Sequence, residues 1–281
     1  MREDLQKKIN QAIRLLQSLA PKDGSPVEVA YSGGKDSDVI LQLVKESGIS
    51  YRAIYKNTTI EPMGTIKHAM EVGAEMLRPK SNFFEIVKKY GFPRQNARFC
   101  CKILKEYKVL DVVVMGIRRA ESKKREERYK EPTECREYNN GKNKAKAIYP
   151  ILYWEDEDVK EYIESRNIKV HPLYYTQEGK LDVSRRLGCQ GCPLMSKEKR
   201  VKFFKDNIGW LRLWLKAGAY YLQTHPHTEA YRLYSGDVYA WMYSELFFQN
   251  KKKFLLYDDN LFGKPNYKDE LEEIFKCDLS I

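Results

Sequence analysis

A chain of 281 residues with 42% apolar side chains can bury a substantial core, and its apolar runs fall far short of the ~18 residues of a membrane span, which excludes a transmembrane helix. The formal net charge is +11, and 16 basic against 8 acidic side chains between Arg94 and Lys146 concentrate it in one stretch. That excess suits a polyanionic partner or a phosphorylated substrate, with a solubilising face as the alternative. The charged start Met1-Arg2-Glu3-Asp4 leads into an amphipathic pattern rather than a secretory signal, so a cytoplasmic chain without membrane attachment is expected. In that compartment six cysteines read as ligands, catalytic thiols or buried apolar groups rather than disulfides.

Leu5, Ile9, Ala12, Ile13, Leu16 and Leu19 recur at helical spacing and predict a leading helix within residues 1–24. Val27 to Tyr31 follows as a strand, Ser32 to Ser37 as a glycine loop, and Val39, Ile40, Leu43 and Val44 as one face of a helix. Strands are then predicted at Tyr51–Tyr55, Glu75–Leu77 and Asp111–Met115, with helices at Met63–Val72 and Phe83–Tyr90, the latter closed by Gly91. This alternation implies an α/β fold on a parallel sheet. From 117 to 146 no period is visible, and a polar stretch of that length inside a domain is expected to be functional or mobile. The sheet is expected to resume at Ala147-Ile148-Tyr149-Pro150, with a helix at Asp156–Ile163. Lys197 to Phe248 reads as helical, its tryptophans and tyrosines as core rather than as a base-stacking surface.

Ser32-Gly33-Gly34-Lys35-Asp36-Ser37 stands where a strand gives way to a helix. Glycine there lets backbone N–H groups converge, the helix start adds positive potential, and the two serines add hydroxyls, a set suited to phosphate. Lys35 is expected as a mobile charge on the same oxygens, and Asp36 as a magnesium ligand or a helix cap. The hexapeptide resembles the PP-loop of the N-type ATP pyrophosphatases, which cleave ATP to AMP and pyrophosphate. Gly116-Ile117-Arg118-Arg119-Ala120-Glu121-Ser122-x-x-Arg125 is similar to a block of the phosphoadenosine phosphosulfate (PAPS) reductase family. The resemblance continues at Pro150, Trp154, Asp158-Val159 and His171-Pro172-Leu173-Tyr174. It implies a Rossmann-like sheet of the adenine nucleotide alpha hydrolase type over residues 25–196, followed by a helical region at 197–281. It also implies that ATP is held by Ser32 to Ser37 together with Gly116, Arg118, Glu121, Ser122 and Arg125. A guanidinium at a strand end suits a bidentate phosphate or sulfate; the alternative for these arginines is surface pairing with Glu121, Glu126 and Glu127.

Cys100-Cys101 and Cys189-x-x-Cys192 form two close-set groups with 87 residues between them and suggest one metal centre, an iron–sulfur cluster or a zinc ion. Adjacent cysteines diverge, which suits the separate corners of a [4Fe-4S] cube better than a single tetrahedral ion. The arrangement looks like the cluster motif of adenylyl sulfate reductases, with Lys102, Arg185 and Arg186 offsetting the charge. Two departures from those reductases stand out: they usually lack a lysine at the position of Lys35, and Cys277 is not set in their Glu-Cys-Gly-x-His element.

The resemblance therefore implies an AMP-forming ATP pyrophosphatase with a [4Fe-4S] cluster, ATP and Mg2+ as cofactors, acting in sulfur transfer to nucleic acid, with DNA phosphorothioation foremost. A sulfur donor such as a cysteine desulfurase is the expected partner; the sequence leaves the oligomeric state open, with a homodimer among the options. Cys135, between Glu134 and Arg136, is a candidate persulfide carrier or an idle surface thiol. The rivals are a PAPS or adenylyl sulfate reductase using Cys277, and a nucleic-acid-binding protein with a disused pocket.

Overall fold

Each strand anticipated between Val27 and Met115, and the helix anticipated at Met63–Val72 as α3 (Thr65–Glu71), is present in the computed structural model, which describes residues 1–138, 143–248, 254–255 and 265–281. The chain forms two units, one of residues 1–79 and 102–188, the other of residues 80–101 and 189–281. The first unit holds a six-stranded sheet of β1 (Val27–Tyr31), β2 (Tyr51–Lys56), β3 (Glu75–Leu77), β4 (Val112–Val114), β5 (Thr133–Tyr138) and β6 (Asn143–Ile148). Their order is β3-β2-β1-β4-β6-β5, all parallel except β5, which runs antiparallel to β6. Strand order reverses between β1 and β4, and in such sheets the crevice beyond the carboxyl ends at that point takes the ligand.

One face of the sheet is covered by α1 (Glu3–Leu19), α2 (Lys35–Ser47) and α7 (Asp156–Ser165). Leu5, Ile9, Ala12 and Leu16 meet Val39, Ile40, Leu43 and Val44 and the strand residues Val27, Val29 and Val114, so the leading helix belongs to this core. Because successive strand side chains face opposite ways, Val113 joins a second cluster with Ile117, Tyr129, Tyr138, Ala147 and Tyr149 on the other face.

The stretch 117–146 is ordered where it is described, which corrects the expectation of a loop. It contains a 3-10 turn at Arg119–Glu121, the short helix α6 (Lys123–Arg128) and the β5/β6 hairpin; residues 139–142 lie outside the described residues. The sequence hides the hairpin because β5 is an edge strand: Thr133-Glu134-Cys135-Arg136-Glu137-Tyr138 shows no apolar alternation, and backbone pairing with β6 holds it.

In the second unit, α4 (Phe83–Tyr90) starts at an Asn82/Glu85 capping box and stops at Gly91, whose φ of 80° is left-handed. Phe83 and Phe92 pack on Trp214 of α9 (Ile208–Thr224) at centroid separations of 5.0 and 5.6 Å. This packing places residues 80–101 with the C-terminal helices rather than with the sheet, unlike the linear division read from the sequence. Besides α9, these helices include α8 (Lys197–Asp206), α10 (Glu229–Tyr234) and α11 (Val238–Phe247). Trp214 and Trp241 are fully buried, as expected of a core. Among the described residues no helix is long and apolar enough to cross a membrane.

Candidate functional site

The loop between β1 and α2 is shaped by two glycines. Gly33 has φ 75°, and a Cβ there would come within 2.7 Å of Thr65 Cγ2, so neither the backbone conformation nor the space admits a side chain. Gly34 is the N-cap of α2 and has no side-chain cap; Ser37 N–H and Asp38 N–H donate to its carbonyl at 2.8 and 3.1 Å. Ser37 Oγ also donates to the Gly34 carbonyl (2.6 Å), and Ser32 Oγ lies 3.3 Å from Ser37 Oγ. The phenol of Tyr174 stands over this turn and takes a hydrogen bond from the Lys35 backbone. The start of a 13-residue helix is thus presented with glycine on its approach, a suitable cradle for an anion.

Lys35 is not the mobile charge expected of it. It is 4% exposed, its Nζ lies 3.0 Å from Asp36 Oδ2, and it sits over the Tyr174 ring at 5.5 Å. Asp36 neither caps the helix nor faces an open metal position: its Oδ1 accepts from Arg118 Nε at 2.7 Å while Oδ2 faces Lys35. Arg118, expected to grip phosphate or sulfate, is 1% exposed and committed to protein acceptors. Beyond Asp36 it donates through Nη2 to Asp156 Oδ1 (2.7 Å) and through Nη1 to the Trp154 carbonyl (3.2 Å). Burial opposes its charge, but the carboxylates of Asp36 and Asp156 outweigh that and hold its pKa above the ordinary value. The geometry requires Gly116, since a Cβ there would lie 2.8 Å from the Asp36 carbonyl oxygen. Together these contacts lock the end of β4 to the start of α2.

The rest of the block builds the turn that follows. Glu121 accepts from the Arg118 backbone at 3.3 Å and pairs with Arg125, Ser122 caps α6 through Arg125 N–H (3.3 Å), and Arg119 pairs with Glu126 at 3.5 Å. Arg125 and Arg119 thus make the carboxylate pairs weighed as the alternative, whereas Arg118 does not.

Beside the loop lies a cavity of about 250 Å³ lined by Ala30, Ser32, Ile54, Met115, Arg136 and Tyr138, among others. Lys56 enters it paired with Glu28 at 2.9 Å. Cys135 is exposed on the other side of β5 from Arg136, and lines an open groove with Asp111, Lys144 and Lys146 instead. Behind the loop the sequence reading missed a buried polar set. Tyr31 Oη donates to Asp38 Oδ1 (2.5 Å), His68 Nε2 lies 3.0 Å from the same oxygen, and His171 Nε2 is 3.5 Å from Thr65 Oγ1. Burial pushes Asp38 above and His171 below their ordinary values, with His68 adding to the latter. Only the Gly-Lys-Asp-Ser-Asp run at the helix start and the motif ending in Tyr174 hint at this set in the sequence.

In the second unit Cys100 and Cys101 open the helix α5 (Phe99–Leu104), and the Cys192 N–H donates to the Cys189 carbonyl at 3.3 Å. No disulfide involves any of the six cysteines. Cys100 hydrogen-bonds Cys101 and feels Cys192, and Cys192 in turn feels Cys189 and Cys101, so the four lie in one electrostatic neighbourhood. The Cys101 bond and then burial push the Cys100 thiol up; burial does so for Cys192. Among the described residues no three His, Cys, Asp or Glu side chains converge as a site for a single metal ion. The surroundings nonetheless fit a sulfur-rich anionic group, because two buried donors beside Gly191, Arg200 Nη2 and Trp214 Nε1, have no acceptor among the described residues. Arg185, expected near a cluster, donates to the Leu173 and Tyr175 carbonyls, and Arg186 to the Glu121 carbonyl. Cys277 faces Arg212, Glu272 and Asp278.

Comparison with known proteins gives a match over residues 26–195 to the family model described as phosphoadenosine phosphosulfate reductase domain. An uncharacterized protein of Methanocaldococcus jannaschii is 31% identical, over 73% of this chain and 43% of its own length. Sulfate adenylyltransferase subunit 2 of Shewanella pealeana is 25% identical, over 60% of this chain and 66% of its own. Among solved structures, the U34-tRNA thiolase of Methanococcus maripaludis, determined with its [4Fe-4S] cluster, aligns with 80% of this chain and 82% of its own at 20% identity and a TM-score of 0.39. The chain spans about half the length of the first curated relatives it matches.

Proposed function

The chain belongs to the phosphoadenosine phosphosulfate reductase domain family, and from that premise we propose that it is an AMP-forming ATP pyrophosphatase with a [4Fe-4S] cluster, acting in sulfur transfer to nucleic acid. The observation that carries this reading is the presence of Lys35 at the N-terminus of α2 beside the switch point of the sheet. A substrate that arrives already adenylated has no triphosphate for such a lysine to address. An acceptor oxygen attacks the α-phosphorus, pyrophosphate leaves toward the helix start, and a sulfur donor then displaces AMP. Lys35 reaches the leaving group by giving up its pair with Asp36, which Arg118 continues to hold. Magnesium enters with the triphosphate, because before the nucleotide binds Asp36 Oδ1 faces Arg118 and Oδ2 faces Lys35.

Cys100, Cys101, Cys189 and Cys192 would hold the cluster, which when bound supplies sulfur or electron chemistry. DNA, with a phosphorothioate as product, is the favoured acceptor. The exposed Lys123, Lys124 and Arg128 of α6 support a polyanion. Mass spectrometry of products tests the reading in two incubations of anaerobically purified protein, one with ATP, Mg2+ and duplex DNA and one with adenylyl sulfate. AMP, pyrophosphate and DNA carrying sulfur in place of one oxygen are expected, with AMP formation falling about 100-fold or more in Lys35→Ala. Sulfite from adenylyl sulfate, without AMP from ATP, would establish the reductase instead.

A further inference from the structure

The turn Cys189-Gln190-Gly191-Cys192 is backed by a buried cation. Arg200 of α8 is 4% exposed and donates through Nε to the Gly191 carbonyl at 3.0 Å and through Nη1 to the Glu245 carbonyl at 3.4 Å. Its guanidinium lies over the rings of Trp214 (5.3 Å) and Phe204 (5.9 Å), both fully buried. Gly191 has φ 67°, and a Cβ there would stand 2.8 Å from Phe204 Cζ and 3.1 Å from Trp214 Nε1, so the backbone of the turn rests directly on these groups. Two donors remain without an acceptor among the described residues, Arg200 Nη2 and Trp214 Nε1. Orphaned buried donors are rare and call for a partner.

The charges point the same way. The carboxylate near Arg200 is that of Glu245, which also lies 3.8 Å from Arg94 Nε, so two guanidiniums face one carboxylate. Cys192 is within electrostatic reach of Arg200. A buried guanidinium keeps its proton and requires an anion nearby, and thiolate sulfur supplies one.

We propose that Arg200 and Trp214 form a donor pair for the sulfur of a metal–thiolate centre at Cys100, Cys101, Cys189 and Cys192, making Arg200 a positioning residue that holds the Cys189–Cys192 turn and sets the reduction potential. This rests on the reading of the four cysteines as ligands of an iron–sulfur cluster. Hydrogen bonds to cluster sulfur and nearby positive charge favour the reduced, more negative state, so removing either lowers the potential.

The experiment uses the full-length chain purified without oxygen, as wild type, Trp214→Phe, Arg200→Lys and Arg200→Met. Iron and sulfide content, resonance Raman Fe–S stretching frequencies and a spectroscopic redox titration are measured on each. Trp214→Phe keeps the ring and Arg200→Lys the charge, so both are expected to fold and hold iron. Both should shift the Fe–S frequencies and move the potential negative, Arg200→Met further. Unchanged frequencies and potential in Trp214→Phe and Arg200→Lys with full iron content would overturn the proposal while leaving the cluster in place. Wild-type protein without iron would overturn both.

Discussion

The glycine loop and the cysteine turn each adjoin a buried arginine, but they balance its charge differently. At the loop, Arg118 and Lys35 face Asp36 and Asp156, two cations against two carboxylates, with Arg118 Nε, Nη1 and Nη2 all on protein acceptors. At the turn, Arg200 Nη2 has no acceptor among the described residues, and the nearby carboxylate of Glu245 also lies beside the partly exposed Arg94. A set balanced by its own side chains is formed before any ligand arrives; a set that leaves a buried guanidinium donor unpaired is completed by an acceptor. On the proposed reading the loop would exchange one ion pair for a triphosphate, whereas the cysteine region should gain much of its stability from what it binds.

The largest effect should follow loss of a thiolate. Cys192→Ser is expected to remove visible absorption and lower Tm by about 10 °C or more, at roughly 2–4 °C per kcal/mol for a chain of this size. An unchanged Tm would place the cysteines outside the stability of their unit. Next comes Arg118→Met, which leaves Asp36 and Asp156 without their shared cation. Urea denaturation should show a loss of about 3 kcal/mol, less than for a fully enclosed pair because Asp156 is half exposed. A loss under about 1 kcal/mol would show that the network is dispensable.

Lys35→Ala should weaken ATP binding about 10-fold or more and AMP binding little, as measured by calorimetry, if the lysine addresses the leaving pyrophosphate as proposed. Equal losses for both nucleotides would reject that role. A smaller effect concerns pH. Burial, with His68 adding to it, holds His171 below its ordinary 6.5, so as pH falls the unfolded chain takes up the proton first. The stability this neutral histidine contributes is fully present above about 6.5 and is lost as pH falls through the folded-state value. His171→Gln should flatten the acid limb of Tm against pH, and an unaltered limb would place the acid sensitivity elsewhere. Smallest is Lys123→Ala with Lys124→Ala, which should reduce the slope of log K against log salt for duplex DNA by about one to two units without changing ATP binding. A slope that does not move would take α6 out of any DNA contact.

Legibility in the sequence differed between elements for physical reasons. Buried parallel strands such as Val27–Tyr31 and the amphipathic helix Glu3–Leu19 carry their apolar pattern openly, and so the α/β sheet could be read. The β5/β6 hairpin could not, because an edge strand held by backbone pairing has no need of apolar alternation. The loop Ser32 to Ser37 was visible as a motif, yet the partners of Lys35, Asp36 and Arg118 were not. Asp156 lies 38 residues from Arg118, and a long-range ion pair leaves no local period. Arg200 follows Cys192 by eight residues in a lysine-rich stretch where nothing distinguishes it from solvated neighbours; only burial against Trp214 and Phe204 does.

The contrast between a self-balanced loop and an unbalanced cysteine turn is tested most directly by iron and acid-labile sulfide analysis of protein purified without oxygen. The account predicts about four irons and four sulfides per chain, lost together in Cys192→Ser. Stoichiometric zinc without iron, or no metal at all in a fully folded chain, would contradict it.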